Sequence, residues 1–156
     1  MIKITRDLIE EISQRAKNAP RRRINYNFHK VSSDPVQRFM NAVEPGTYLR
    51  PHKHDVGKAE VMLILRGRVL MVEFDDKGNI ADHVVLDSDK GEKGVELPAG
   101  SWHSFISLQE GSVLYEVKAG PYDEKKAKHF AEWSPEEGSK EALLFNKRVI
   151  EKLKIS

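Results

Sequence analysis

Hydrophobic positions along this chain fall into a helical stretch, a long series of short alternating runs, and a second helical stretch. Between Thr5 and Lys17, Leu8, Ile9, Ile12 and Ala16 recur on one stripe, with Thr5 placed to cap the N-terminus, Asp7 in the first turn and Pro20 just past the end. This helix is expected to brace a sheet or a neighbouring subunit. From Arg23 the period drops to two: Ile24, Tyr26 and Phe28 alternate with Arg23, Asn25, Asn27 and His29. Further strands are predicted at 37–43, within 46–67, at 69–74, around 82–86, and at 95–97, 104–108 and 113–118. Turn signals separate them, among them Glu44-Pro45-Gly46, the run from Asp75 to Asn79, and Pro98-Ala99-Gly100. After Gly120 the pattern changes. Residues 125–133 are charged and irregular, 134–138 read as a linker or helix start, and 139–153 form an amphipathic helix with Leu143, Leu144, Val149, Ile150 and Leu153 available for packing. Its partner is either its own sheet or a second subunit. Many short strands between two helices predict an all-β sandwich or barrel with terminal helices.

Composition adds bounds to this picture. A length of 156 residues suits one domain with one core, and that domain is expected to span 1–156, with the helix at about 5–17, the barrel at about 23–119 and a C-terminal extension from 120. Lys and Arg number 26 against 24 Asp and Glu, so the net charge of +2 gives no argument for a nucleic-acid or anionic-membrane partner. The absence of cysteine removes disulfides, thiolate ligands and a cysteine nucleophile together. Met1-Ile2-Lys3 runs straight into charged residues and no apolar run is long enough to span a membrane, so a soluble cytoplasmic protein is expected.

Candidate chemistry concentrates in the stretch from Gly46 to Gly67. His52 and His54 stand two apart in a strand-like run, so both imidazoles face one side, and a carboxylate on the next strand, Glu60, can reach the same point. His103, delivered by the turn Pro98-Ala99-Gly100, supplies a fourth group. Imidazole nitrogen and carboxylate oxygen suit divalent first-row metals. Tyr48 and Arg50 share the parity of the histidines, which aims Arg50 at whatever they face. The polar face of Arg23, Asn25, Asn27 and His29 is either a solvated edge or the lining of a pocket for a polar or anionic ligand. If residues 104–108 and 113–118 form a tight hairpin, Phe105 faces Glu116, and Glu116 shares a sheet face with His103; a one-residue slip turns Glu116 and Tyr115 the other way. Asp75, Asp76 and Asn79 lack the spacing of a calcium loop, and His83 reads as a surface residue.

These residues also carry a family resemblance. Gly46, His52-x-His54, Glu60 and Gly67 resemble the first cupin motif, and Pro98-x-Gly100-x-x-His103 resembles the core of the second. With the segments RRRINYNFH, LRPHKH, EVKAGPYDE and FAEWSPEE, nearly the whole chain resembles the WbuC family of cupin-fold metalloproteins. The sequence departs from the cupin pattern in having five residues between His54 and Glu60, Glu92 in place of a glycine, and Ser107 where asparagine is usual. The resemblance implies a single cupin jelly-roll, a double-stranded β-helix barrel, and a homodimer with its contact at Tyr26, Phe28 and the C-terminal helix. It also links the chain to bacterial surface-polysaccharide gene clusters.

The resulting expectation is one divalent ion per subunit, iron, manganese, nickel or zinc, held by His52, His54, Glu60 and His103. Beside it Arg50, Arg23, Asn25, Asn27 and His29 would bind a polar or anionic small molecule, with Arg50, Glu116 and Tyr115 as candidate catalytic groups. An isomerase, epimerase or oxygenase, a non-catalytic binding or sensor module, and a structural metalloprotein are all compatible with this set.

Overall fold

The computed structural model describes residues 1–55, 57–123 and 128–155. Helix α1 (Arg6–Asn18) opens the chain, and Thr5 caps it by accepting the Leu8 amide on its hydroxyl oxygen at 3.2 Å. Ten strands follow among the described residues: β1 (Arg23–Asn27), β2 (Val36–Val43), β3 (His52–Lys53), β4 (Glu60–Arg66), β5 (Arg68–Phe74), β6 (Ile80–Asp87), β7 (Gly94–Leu97), β8 (Trp102–Ser107), β9 (Ser112–Ala119) and β10 (His129–Phe130). Helix α2 (Lys140–Leu153) closes the described chain. Among the described residues no helix is long and apolar enough to cross a membrane.

The strands form two antiparallel five-stranded sheets, ordered β1-β2-β9-β4-β7 and β10-β3-β8-β5-β6. Leaving aside β1 and β10, the eight strands from β2 to β9 pair first with last, second with seventh, third with sixth and fourth with fifth, which is jelly-roll order. The fold is therefore a jelly-roll barrel flanked by terminal helices.

Period-two alternation sorts the side chains into an interior and two outer layers. Inside, Val43, Leu49, Met62, Ile64, Val69, Met71, Leu86, Leu97, Phe105 and Leu114 make one apolar core. Outside the first sheet, Ile12 and Ala16 of α1 pack on Met40, Ala42 and Val113, with Tyr26, Phe28 and Tyr115 at the margin. Outside the second, Phe145, Val149, Ile150 and Leu153 of α2 cover Leu70, Val72, Phe74 and Ile106. Both helices thus spend their apolar stripes on their own sheets. Tyr26 and Phe28, the residues expected at a dimer contact, are half-buried against the α1 layer, and among the apolar residues of α2 Leu143 and Leu144 are exposed.

Two further expectations change. Strands β8 and β9 do not form a hairpin: β8 pairs with β3 and β5 in one sheet, and β9 with β2 and β4 in the other. Phe105 therefore does not face Glu116, which stands opposite Phe39 and Met62. The strand expected through 48–54 is only two residues long, and β10, from the charged C-terminal stretch, pairs along it. The start of that stretch, 125–127, and Val56 in the loop before Glu60 lie outside the described residues. Gly67 turns β4 into β5 at φ +78°, where an added Cβ would stand 2.5 Å from Ser112 Oγ and 2.9 Å from Ser112 Cα.

Candidate metal centre and adjoining cavity

The barrel interior is apolar toward one end and polar toward the other, and single strands cross from one to the other. Along β9 the inward positions run Leu114, Glu116, Lys118, and along β4 they run Ile64, Met62, Glu60. At the polar end β3 and β8 lie side by side with His52 directly opposite His103. His54 follows β3. The ligating atoms of His52, His54 and His103 lie within 4.8 Å of one another, and all three side chains are buried.

Hydrogen bonds set the state of these rings. His52 Nδ1 lies 3.0 Å from the Arg50 carbonyl oxygen, and His103 Nδ1 2.9 Å from that of Ser101. A carbonyl only accepts, so both rings carry a proton on Nδ1 and turn Nε2 inward. Burial, reinforced by the Lys128 charge, holds His52 well below the ordinary imidazole value, so it is neutral. Burial alone would raise the Glu60 carboxyl, but His103, His54 and the Lys118 ammonium outweigh it and hold the group well below the usual carboxylate range. Glu60 Oε2 stands 3.1 Å from His54 Nε2 and 3.3 Å from His103 Nε2, while Oε1 is 3.7 Å from Lys118 Nζ.

The fit to a divalent ion can be tested on His103. Its Nε2 is buried without a hydrogen bond and stands 3.3 Å from Glu60 Oε2, so a buried ring nitrogen is left without a well-placed partner. A cation placed among these atoms would give that nitrogen and the carboxylate a common partner. Neutral imidazoles and an ionised carboxylate are the states a first-row divalent ion requires, and the set suits iron, manganese, nickel and zinc alike. His52, His54, His103 and Glu60 could hold such an ion.

Beside this cluster lies a cavity of about 820 Å³ whose walls include Arg23, Asn25, Asn27, His29, Arg50 and Glu116, six of the residues singled out by sequence. His52, His54, His103 and Glu60 are not among its described lining residues. His54 lines a second, small cavity of about 10 Å³, and Gln37, Lys118 and Tyr122 wall both. Lys118 is thus the side chain standing between Glu60 and the large cavity. Several wall residues are held by internal bonds. Arg23 donates to Glu137, Thr47 Oγ1 and the Tyr48 carbonyl; Arg50 donates to Ser134 Oγ at 3.2 Å and the Ala131 carbonyl at 3.1 Å while lying over the Phe130 ring. His29 Nδ1 accepts the Arg38 amide. Glu116 accepts from Asn41 Nδ2 at 2.7 Å, and burial, with the Glu60 charge, raises its carboxyl to about 7.

Tyr115 is a correction. Neighbouring positions on a strand face opposite ways, so with Glu116 inward Tyr115 packs outward, 5.7 Å from the Phe28 ring in the layer under α1, away from the cavity. Sequence reasoning passed over Asn41, Lys118 and Lys128. Lys118 shares the parity of Glu116 on β9, and that signal could have found it; Lys128 sits in an irregular charged stretch with no period to read.

The family model described as a domain of unknown function, DUF6016, matches residues 4–86, more than half of the chain. The chain belongs to the DUF6016 family. In this DUF6016 protein the matched part contains His52, His54 and Glu60, and stops short of His103. No curated protein matches the sequence. Among solved structures the DUF6016 chain is similar to the capsular polysaccharide assembling protein CapF from Staphylococcus aureus, at 22% identity and a TM-score of 0.55 over 67% of this chain and 28% of that one. It is also similar to ChmJ, a 3'-monoepimerase from Streptomyces bikiniensis in complex with dTDP, at 20% identity and a TM-score of 0.53 over 62% of this chain and 51% of that one. A third, KdgF from Halomonas sp., matches at 13% identity and a TM-score of 0.51 over 66% and 82%. The DUF6016 chain spans under a third of CapF and about half of ChmJ, and the likeness is one of fold.

Proposed function

We propose that this protein is a mononuclear metal-dependent cupin, akin to the WbuC family, that binds and transforms a polar or anionic sugar derivative in bacterial surface-polysaccharide metabolism. The observation that carries the reading is the convergence of neutral His52 with His54, His103 and ionised Glu60, beside a polar cavity large enough for a sugar. An ion held there would supply a Lewis acid that polarises a substrate oxygen. Glu116, raised to about 7 and oriented by Asn41, is suited to give or take a proton near neutral pH. Arg50 and Asn25 line the wall where substrate hydroxyls or an acidic group would be oriented. The likeness to CapF, a capsular polysaccharide assembling protein, and to ChmJ, a 3'-monoepimerase, supports a sugar as the substrate class.

Elemental analysis of protein purified without added metal tests the centre. About one ion per chain is expected in the wild type, with most of it lost in His52→Ala and in His103→Ala; unchanged content in both variants refutes the reading. One observation favours a second reading, a ligand-holding module without turnover: none of the three histidines lines the large cavity. Sugar binding of equal strength before and after removal of the ion would decide for that module.

A further inference from the structure

Among the described residues, the walls of the large cavity carry more positive than negative charge. Arg21, Arg23, Arg50, Lys118 and Lys128 line it, against the carboxylates of Glu116 and Glu137. Glu137 is already shared by Arg21 and Arg23, each at 2.7 Å. Lys118, only 13% exposed, reaches just one oxygen of Glu60, a carboxylate that His54 and His103 also face. Among the described residues Arg50 donates to the neutral oxygens of Ala131 and Ser134 and lies over the Phe130 ring, with no carboxylate partner. Lys128 has neither a hydrogen bond nor an ion pair among the described residues. Its ammonium is pushed down to about 8, first by burial and then by the Lys118 charge, with Arg23 acting in the same direction.

Like charges gathered around one cavity weaken a fold, and a chain that keeps them there has a reason beyond packing. Glu116 cannot serve as their full counter-ion near neutrality, because it is itself raised to about 7. An incoming anion can. We infer that this cavity recognises an acid: the carboxylate or phosphate of a small polyhydroxylated ligand seats between Lys118 and Lys128, with its hydroxyls against Asn25, Asn27 and Asn41. The inference rests on the reading that the cavity holds a small-molecule ligand and adds the group by which that ligand is chosen. Lys118 gives the seat its place in the chemistry, since it touches Glu60 on one side and the cavity on the other. An acid bound there lies next to the metal centre, with the aromatic faces of Phe39 and Phe130 in the same wall.

The test uses the full-length protein as purified, titrated at pH 7 with glucuronate, a glucose phosphate and glucose, with ion content measured for every variant. At least one of the two acids is expected to raise the melting temperature and bind about tenfold or more tightly than glucose. Whichever acid does so identifies the head group. Lys128→Met is expected to lose that preference while melting no lower than the wild type without ligand, and Lys128→Arg is expected to restore it. Equal binding of acids and glucose, no binding of either acid, or an acid preference untouched in Lys128→Met would overturn the inference. Its failure is separable from failure of the metal reading. Ion retained with no acid preference sinks only the seat, whereas Lys128-dependent acid binding in a wild type free of metal sinks only the centre.

Discussion

Glu116 and Glu60 both sit inside the barrel as buried carboxylates, yet their protonation runs in opposite directions. Glu60 is ringed by two imidazoles and the Lys118 ammonium and stays ionised; Glu116 has the Asn41 amide and a share of Lys118 and Lys128 against full burial and the Glu60 charge. A carboxyl raised from 4.5 to about 7 in the folded state contributes stability that is complete below pH about 4.5 and is lost as pH rises through about 7. Between those values the folded protein keeps a proton that the unfolded chain releases. Glu116→Gln, which keeps the acceptor for Asn41, is therefore expected to match the wild type near pH 4.5 and to exceed it in stability at pH 7.5. Urea unfolding at the two pH values checks this, and a parallel decline in both proteins would contradict it. At this scale the sequence was partly legible. The His-x-His spacing and the later Pro-x-Gly-x-x-His drew attention to His52, His54 and His103 because ligand geometry is written in local period; Lys128 comes from a segment without period, and its place follows only from tertiary structure.

The elements show where local pattern stops being informative. Period two located nearly every strand to within a few residues, and helical period located α1 and α2, since both signals reflect burial on one face. Pairing was harder. Two adjacent runs with a short polar turn between them, β8 and β9, read as a hairpin, but the jelly roll sends consecutive strands into opposite sheets there. The alternation of β9 survives that error, because inward and outward are properties of the strand rather than of its partner; hence Glu116 still faces the interior. The junction of β4 and β5 makes the same point at Gly67, which has both a left-handed backbone and Ser112 pressed against the space a side chain would fill. Gly67→Ala is expected to cost about 3 kcal/mol, the sum of left-handed strain and steric displacement at a packed strand junction. Thermal or urea melts measure it, and a loss below about 1 kcal/mol would show that the turn relaxes freely.

In the whole molecule, three apolar packings surround one polar interior end. The α1 and α2 layers and the barrel core bury the bulk of the hydrophobic side chains, while His52, His54, Glu60, His103 and Glu116 are also buried, at a cost in desolvation. An ion bound to the folded state alone would offset part of that cost. Chelation of metal-loaded protein is expected to lower the melting temperature by roughly 5–10 °C, for an ion present at about a hundred times its dissociation constant and a chain of this size. Differential scanning calorimetry reads the shift, and no change on chelation would mean the centre does not share in stability. The pairing of His52 with His103 has a last consequence, for the order of events as the chain folds. These residues come from strands about 50 positions apart in one sheet and Glu60 comes from β4 in the other, so the full donor set exists only once both sheets have closed on each other. An emerging chain can offer the His52 and His54 pair alone, a weak and unselective grip. The choice of ion therefore belongs to the finished barrel, and it would be made from whatever metals are available in the place where folding ends.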